Sequence, residues 1–222
     1  MGSLVSFRLG QNLHLPSGRG STATADVRDI WRLRDGGTVT LRAAEAGDGS
    51  LMQELVRGLS LQSRYQRFFY PLHELTPDLL ARFVQHDPAQ AMTLLAFTWQ
   101  NGRDRVVAMA QYVADPYPQR CDFAVVVADE WQGRGLGRQL IQALICIARA
   151  AGIEHIDSDV LAENAPMLGL LADMGFMLAA HEEGPYLRKA TKALGVPEWK
   201  CSPLVQLAAG KSGLQGGASR WK

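Results

Sequence analysis

The chain has 222 residues, 47% hydrophobic and 20% charged, which suits one globular domain with a full core plus tails. A formal net charge of +1 argues against nucleic-acid and membrane partners, so any attraction for an anionic ligand has to be local. The N-terminus lacks the long apolar core of a signal peptide and no run reaches membrane-spanning length, so a soluble intracellular protein is expected.

Residues 1–36 read as an irregular N-terminal extension, with short strands at 4–9 and 12–15, or a hairpin, as options before the break at 16–20. A strand is predicted over 38–42, after the Gly36-Gly37 turn. Leu51, Met52, Leu55 and Leu59 have helical spacing. Ser60 caps a second helix that carries Tyr65, Phe68 and Phe69 on one face and stops at Pro71. Thr76 caps a third, with Pro77 in its first turn and Leu79, Leu80 and Phe83 buried. Strands follow over 91–99 and 105–113 around Asn101-Gly102, a strong hairpin signal.

The stretch 122–152 organises the rest. Val125, Val126 and Val127 form a β-branched run of the kind found in buried strands. After a turn come Gly133, Gly135 and Gly137. Leu136, Leu140, Leu144 and Ala148 then recur at helical spacing, and Gly152 ends the helix. A glycine turn lets backbone N–H groups approach a ligand and point one way, and a helix N-terminus adds donors and partial positive charge. Pyrophosphate suits such a site, and Arg134 and Arg138 add charge. A Walker loop is excluded because Gly-Lys-Ser/Thr is missing, and the G-x-G-x-G spacing differs from the dinucleotide fingerprint.

Residues 153–160 read as a strand. Asn164 caps a helix with Pro166 in its first turn and an apolar face of Met167, Leu168, Leu171 and Met174. Strands at 176–181 and 186–189 finish the sheet, and a Gly/Ser/Lys-rich tail begins near 193. The fold class expected is α+β: a mixed, mostly antiparallel central sheet flanked by helices, spanning 37–192 between an N-terminal extension (1–36) and a C-terminal tail (193–222). Cys121, Cys146 and Cys201 are odd in number and lack metal-ligand spacing, so Cys146 reads as a buried free thiol and a reducing cytoplasm is expected. The five histidines have neither triad nor zinc spacing, and no metal is expected.

Gln132-Gly133-Arg134-Gly135-Leu136-Gly137 resembles the Q/R-x-x-G-x-G/A loop of the GNAT superfamily of N-acetyltransferases, which holds the pyrophosphate of acetyl-CoA. Residues 59–69, 122–127 and 161–168 are also similar to segments of bacterial Pat-type protein lysine acetyltransferases, whose other regions this chain is too short to carry. The resemblance implies acetyl-CoA as cosubstrate, held by Val125, Val126, Val127, the loop 132–138 and Asn164, the last also readable as a plain N-cap. It implies a primary amine as acceptor, on a protein lysine such as that of an acyl-CoA synthetase, with Arg64 and Arg67 facing it. A small amine and a non-catalytic coenzyme A-binding module are the alternatives.

A lysine amine at pH 7 carries a proton whose removal costs about 4.6 kcal/mol, from a pKa near 10.4. Asp122 stands where the resembling proteins hold a glutamate base, one methylene longer, and a turn-closing aspartate is the competing reading. Glu163, Glu182 and Glu183 are the reserve candidates. The N–H of Val126 or Val127 is expected to meet the charge that develops on the thioester carbonyl. Many members of the superfamily place an acidic tyrosine where this chain has Leu171, which leaves water or Tyr186 to protonate the thiolate.

Overall fold

Asn101 (φ 53°) and Gly102 (φ 77°) both adopt the left-handed conformation that a two-residue hairpin turn demands. They join β3 (Ala91–Gln100) to β4 (Arg103–Ala114). The computed structural model describes residues 29–201 apart from 71, 85, 86, 88, 116–118 and 196–198. The strands expected at 4–9 and 12–15, the stop at Pro71 and the tail beyond 201 lie outside the described residues.

The hairpin sits in an eight-stranded sheet ordered β1-β2-β3-β4-β5-β6-β8-β7. Its other strands are β1 (Asp29–Arg32), β2 (Thr38–Ala43), β5 (Arg120–Val127), β6 (His155–Leu161), β7 (Met177–His181) and β8 (Gly184–Ala193). All neighbours are antiparallel except β5 and β6. This is the mixed, mostly antiparallel α+β sheet that the sequence predicts.

Side-chain alternation gives the sheet two apolar faces. On one face α4 (Leu136–Ala150) and α5 (Ala165–Asp173) pack on Leu94, Ala110, Tyr112, Phe123 and Ile156. Leu140, Ile141, Leu144 and Ile147 of α4 are fully buried there, and truncating any one to alanine should cost about 2–5 kcal/mol. On the other face α1 (Gly49–Gly58), α2 (Leu61–Phe68) and α3 (Pro77–Phe83) cover Leu95, Phe97, Met109 and Val126. The caps are those expected: Ser60 accepts from Ser63 N–H at 3.1 Å, Thr76 from Leu79 N–H at 3.3 Å and Asn164 from Met167 N–H at 3.2 Å. Helix α2 ends at Phe68, because Phe69 turns left-handed (φ 59°) and closes it with its N–H on Tyr65 O.

Two expectations are corrected. Residues 29–36 are not irregular throughout: β1 pairs with β2 from Asp29 opposite Leu41 to Arg32 opposite Thr38. Four residues without an apolar period carry too little pattern to be read alone, and the pairing supplies the rest. Cys146 is not a free thiol: it is bonded to Cys201, 55 residues away. The chain returns over α4 after β8, packing Trp199 and Cys201 against the core, a path that local sequence does not encode. Cys121 is the free cysteine among the described residues, and it is buried. Among those residues no helix is long and apolar enough to cross a membrane.

Candidate active site

Strands β5 and β6 pair only at Arg120, Cys121 and Asp122, opposite His155, Ile156 and Asp157. Beyond Asp157, β6 continues on β8, while β5 stays on β4 and the two strands separate. Ala128 N–H donates to Val107 O and Asp115 N–H to Arg120 O. With the antiparallel alternation, these bonds turn the peptide groups of Asp122, Ala124 and Val126 toward β4. Those of Val125 and Val127 face the gap. Of the two oxyanion donors the sequence left open, the Val126 amide is committed to the sheet and the Val127 amide faces the opening.

The gap belongs to a cavity of about 850 Å³ that touches both faces of the sheet. At one end lies the glycine turn. Gly133 (φ 74°) and Gly135 (φ 88°) are left-handed, which only glycine adopts without strain. Gly135 immediately precedes α4, whose first N–H groups are directed to this end. Leu136, Gly137 and Arg138 line the cavity, with Asn164 and Leu170 from the α5 side. Arg138 also reaches Asp173 at 3.2 Å. Asn164 is therefore at once the cap of α5 and part of the cavity wall.

Arg134 departs from expectation. Its guanidinium bonds Asp35 at 2.9 Å, donates to Glu130 O at 2.6 Å and stacks on Trp131 at 4.7 Å, and it does not line the cavity. Arg34 takes the place instead. It lines the cavity, and its Nε would lie 3.2 Å from a Cβ at Gly135. Gln132 also lines the cavity while its amide bonds Ser63 Oγ at 3.2 Å and Val127 O at 3.1 Å. Asp129 accepts from Ser60 N–H (2.8 Å), Ser60 Oγ (2.8 Å) and Ser63 Oγ (2.7 Å). The glycine turn and α2 are thus tied together. Against a burial cost that works the other way, these bonds hold the Asp129 carboxyl below its ordinary pKa.

At the other end are Asp122, Asp157, Asp159 and Lys189, and Ser63, Gln66, Arg67 and Phe69 of the α2 segment also line the cavity. Asp122 is level with Asp157, Asp159 is two residues on, and Lys189 pairs with Asp159, so all four share the face that carries α2. Lys189 Nζ lies 3.4 Å from Asp122 Oδ1 and 3.0 Å from Asp159 Oδ1. Burial pushes the Asp122 carboxyl above its ordinary pKa, Lys189 opposes this, and Asp159 and Asp157 add to it. Asp157 is almost wholly buried and bonded to Arg120 at 2.5 Å. Arg67 is buried, and desolvation lowers its pKa to about 10. Arg64 does not line the cavity. Its neighbours Leu61, Tyr65 and Tyr70 are exposed, so Tyr65 is not a core residue, whereas Phe68 is.

Residues 58–176 match the Acetyltransferase (GNAT) family. An acetyltransferase of Pseudomonas aeruginosa is 32% identical over 161 residues, 72% of this chain and 87% of its own. The chain belongs to the GNAT acetyltransferase family. The GNAT domain of S. lividans PAT superposes with a TM-score of 0.68 at 25% identity, covering 76% of this chain and 98% of that domain. Acetyltransferase Pat of Mycolicibacterium smegmatis is 27% identical over 129 residues, and this chain spans only 37% of its length.

For a GNAT acetyltransferase, the residues that sequence reasoning missed are Arg34, Asp157, Asp159 and Lys189. One signal was available: aspartate is disfavoured in strands, yet Asp157 and Asp159 recur with period two inside β6. Nothing local marks Arg34, which reaches the glycine turn from the loop after β1.

Proposed function

We propose that this acetyl-CoA-dependent GNAT N-acetyltransferase acts on a primary amine, and on a protein lysine in preference to a small molecule. The observation that carries the reading is the continuity of one cavity from the glycine turn, along the outward amides of β5, to Asp122. A left-handed Gly135, the N-terminus of α4 and the cations Arg34 and Arg138 suit a pyrophosphate. The cosubstrate supplies an acetyl thioester whose thiol, with a reference pKa of about 8.5, departs without much assistance.

The chain's own residues supply the remainder. Asp122, with its pKa raised, takes the proton from the incoming ammonium directly or through one water. The Val127 N–H donates to the carbonyl oxygen as it gains charge. Gln132 braces Val127 from its carbonyl side. Water returns the proton to the thiolate, since Leu171 carries no acid and Tyr186, the other acid the sequence left open, is exposed and does not line the cavity.

Exposed Leu61, Tyr65 and Tyr70, on the segment whose Ser63, Gln66, Arg67 and Phe69 line the cavity, support a protein acceptor, because aromatic and aliphatic side chains are the composition of an interaction surface. A small amine is the second reading, favoured by the aspartates at that end of the cavity, which attract any cation. A lysine-bearing peptide, free diamines and a cell lysate, each supplied with acetyl-CoA, separate the readings by thiol release and by mass spectrometry of lysines. Turnover of free amines with no modified protein would overturn the preference, and thiol release from none of them would leave the binding-module reading. We propose the cytoplasm as the site of action, where acetyl-CoA is available. The Cys146–Cys201 bond is the observation set against it, and thiol counting on protein trapped in intact cells decides between them.

A further inference from the structure

We propose that Lys189 is itself an acetyl acceptor, and that the enzyme transfers one acetyl group in cis to the Lys189 amine. This rests on the reading of Asp122 as the base. A base takes a proton from a nitrogen within hydrogen-bond reach or one water away. Lys189 Nζ, 3.4 Å from Asp122 Oδ1, already occupies that shell. An external amine has to share the space with it or displace it.

The backbone fixes this arrangement. Lys189 is opposite Asp159 in the β6–β8 register, on the same face as Asp122, and its side chain lines the cavity that runs along the free edge of β5. It is only one-third exposed, and Asp159 at 3.0 Å orients the ammonium from the second side. Burial works to lower its pKa, but Asp122 and Asp159 outweigh burial and hold it above the ordinary lysine value. It therefore starts, like any acceptor lysine, as an ammonium that cannot react until a base removes a proton. Being tethered, it needs no encounter step, and well-oriented intramolecular groups react as though present at very high concentration.

The step balances. Asp122 takes one proton from Nζ, and the freed lone pair forms a C–N bond to the acetyl carbonyl carbon. The thioester C–S bond breaks, and the second Nζ proton passes to the departing thiolate. The products are Nζ-acetyl-lysine, coenzyme A as its thiol, and one proton released to solvent from Asp122. The acetylated side chain no longer carries charge, so Asp122 then faces Asp157 and Asp159 with no neutralising amine from β8.

Two other lysines serve as internal references. Lys192 is on the same strand but the opposite face, with Nζ 5.9 Å from the Phe176 ring centre, and Lys200 is exposed. The test incubates the purified full chain with acetyl-CoA alone, at several protein concentrations, and maps acetylated peptides over time. A parallel sample contains a lysine peptide as external acceptor. The expected result is acetylation of Lys189 at least about 10-fold faster than of Lys192 or Lys200, with a fractional rate independent of protein concentration. Asp122→Asn should slow it by about 10-fold or more while still binding acetyl-CoA in calorimetry. Lys189 modified no faster than the references, or at a fractional rate that rises with protein concentration, overturns the proposal. If the peptide turns over and Lys189 stays unmodified, the proposal falls and the reading of Asp122 survives. If Asp122→Asn alters neither reaction, both fall.

Discussion

Replacing Gly135 by alanine tests the cosubstrate end of the cavity. The residue has φ 88°, where an L-residue is strained by about 1–2 kcal/mol. The new Cβ would also lie 3.2 Å from Arg34 Nε, a long side chain that can yield. The strain is relieved when the turn rotates away from the left-handed conformation, which also disperses its N–H groups. Binding has to restore them, so affinity for acetyl-CoA should fall by about 5- to 30-fold, the equivalent of 1–2 kcal/mol. Gly137→Ala is the companion. It lies in the first turn of α4, and its Cβ would make ordinary contact with Leu170 at 3.7 Å. Alanine there should stabilise the free protein by up to about 1 kcal/mol, so any loss of affinity reports the ligand's approach to the turn. Calorimetry with acetyl-CoA gives the first quantity and thermal unfolding the second. Undiminished affinity in Gly135→Ala would refute the placement of the pyrophosphate.

Asp122→Asn should retain acetyl-CoA affinity and lose about 10²-fold or more in turnover of a lysine peptide, with partial recovery at high pH, where the acceptor deprotonates unaided. Because the Asp122 pKa is raised, the carboxylate is the minor form up to a higher pH than usual. The acid limb of kcat/KM should therefore lie above the ordinary carboxylate range and vanish in the Asn variant; a limb at the ordinary position would contradict the burial argument. Asn164→Ala should cost about 1 kcal/mol of stability through the lost cap, while Asn164→Ser, which can still cap α5, should restore stability. If acetyl-CoA affinity stays low in the serine variant, the asparagine also contacts the cosubstrate. Reducing the Cys146–Cys201 bond should lower stability by about 4 kcal/mol from loop-closure entropy over its 55-residue span. An unchanged Tm with and without reductant would mean that the two thiols are not joined in solution.

What was legible in the sequence was local. The stripe of Leu136, Leu140 and Leu144, the Asn101-Gly102 turn and the caps Ser60, Thr76 and Asn164 each depend on neighbours within a turn or two, and each is present. What was not legible depends on pairing at a distance. Charge beside the glycine turn pointed to Arg134, but Asp35 and Trp131 hold that guanidinium, while Arg34 arrives from a hundred residues upstream in sequence. Asp122 could be singled out because a carboxylate interrupts an apolar strand. Its partner Lys189 could not, since their proximity exists only once β6 has paired with both β5 and β8.

A formal charge of +1 conceals an electrostatic gradient along the cavity. The cosubstrate end holds Arg34 and Arg138, the latter shared with Asp173, at the positive end of the α4 dipole. The acceptor end holds Asp122, Asp157 and Asp159, with Glu182 and Glu183 also in the wall. Arg120 and Lys189 offset part of this, and Arg67 is buried behind it. Within a narrow, low-dielectric cleft such charges are screened less than on an open surface. An anionic cosubstrate is thus drawn to one end and an ammonium to the other, along a path whose middle is the free edge of β5. Near-neutral overall charge leaves this local division undisturbed, because no strong net field of either sign is superimposed on the two ends.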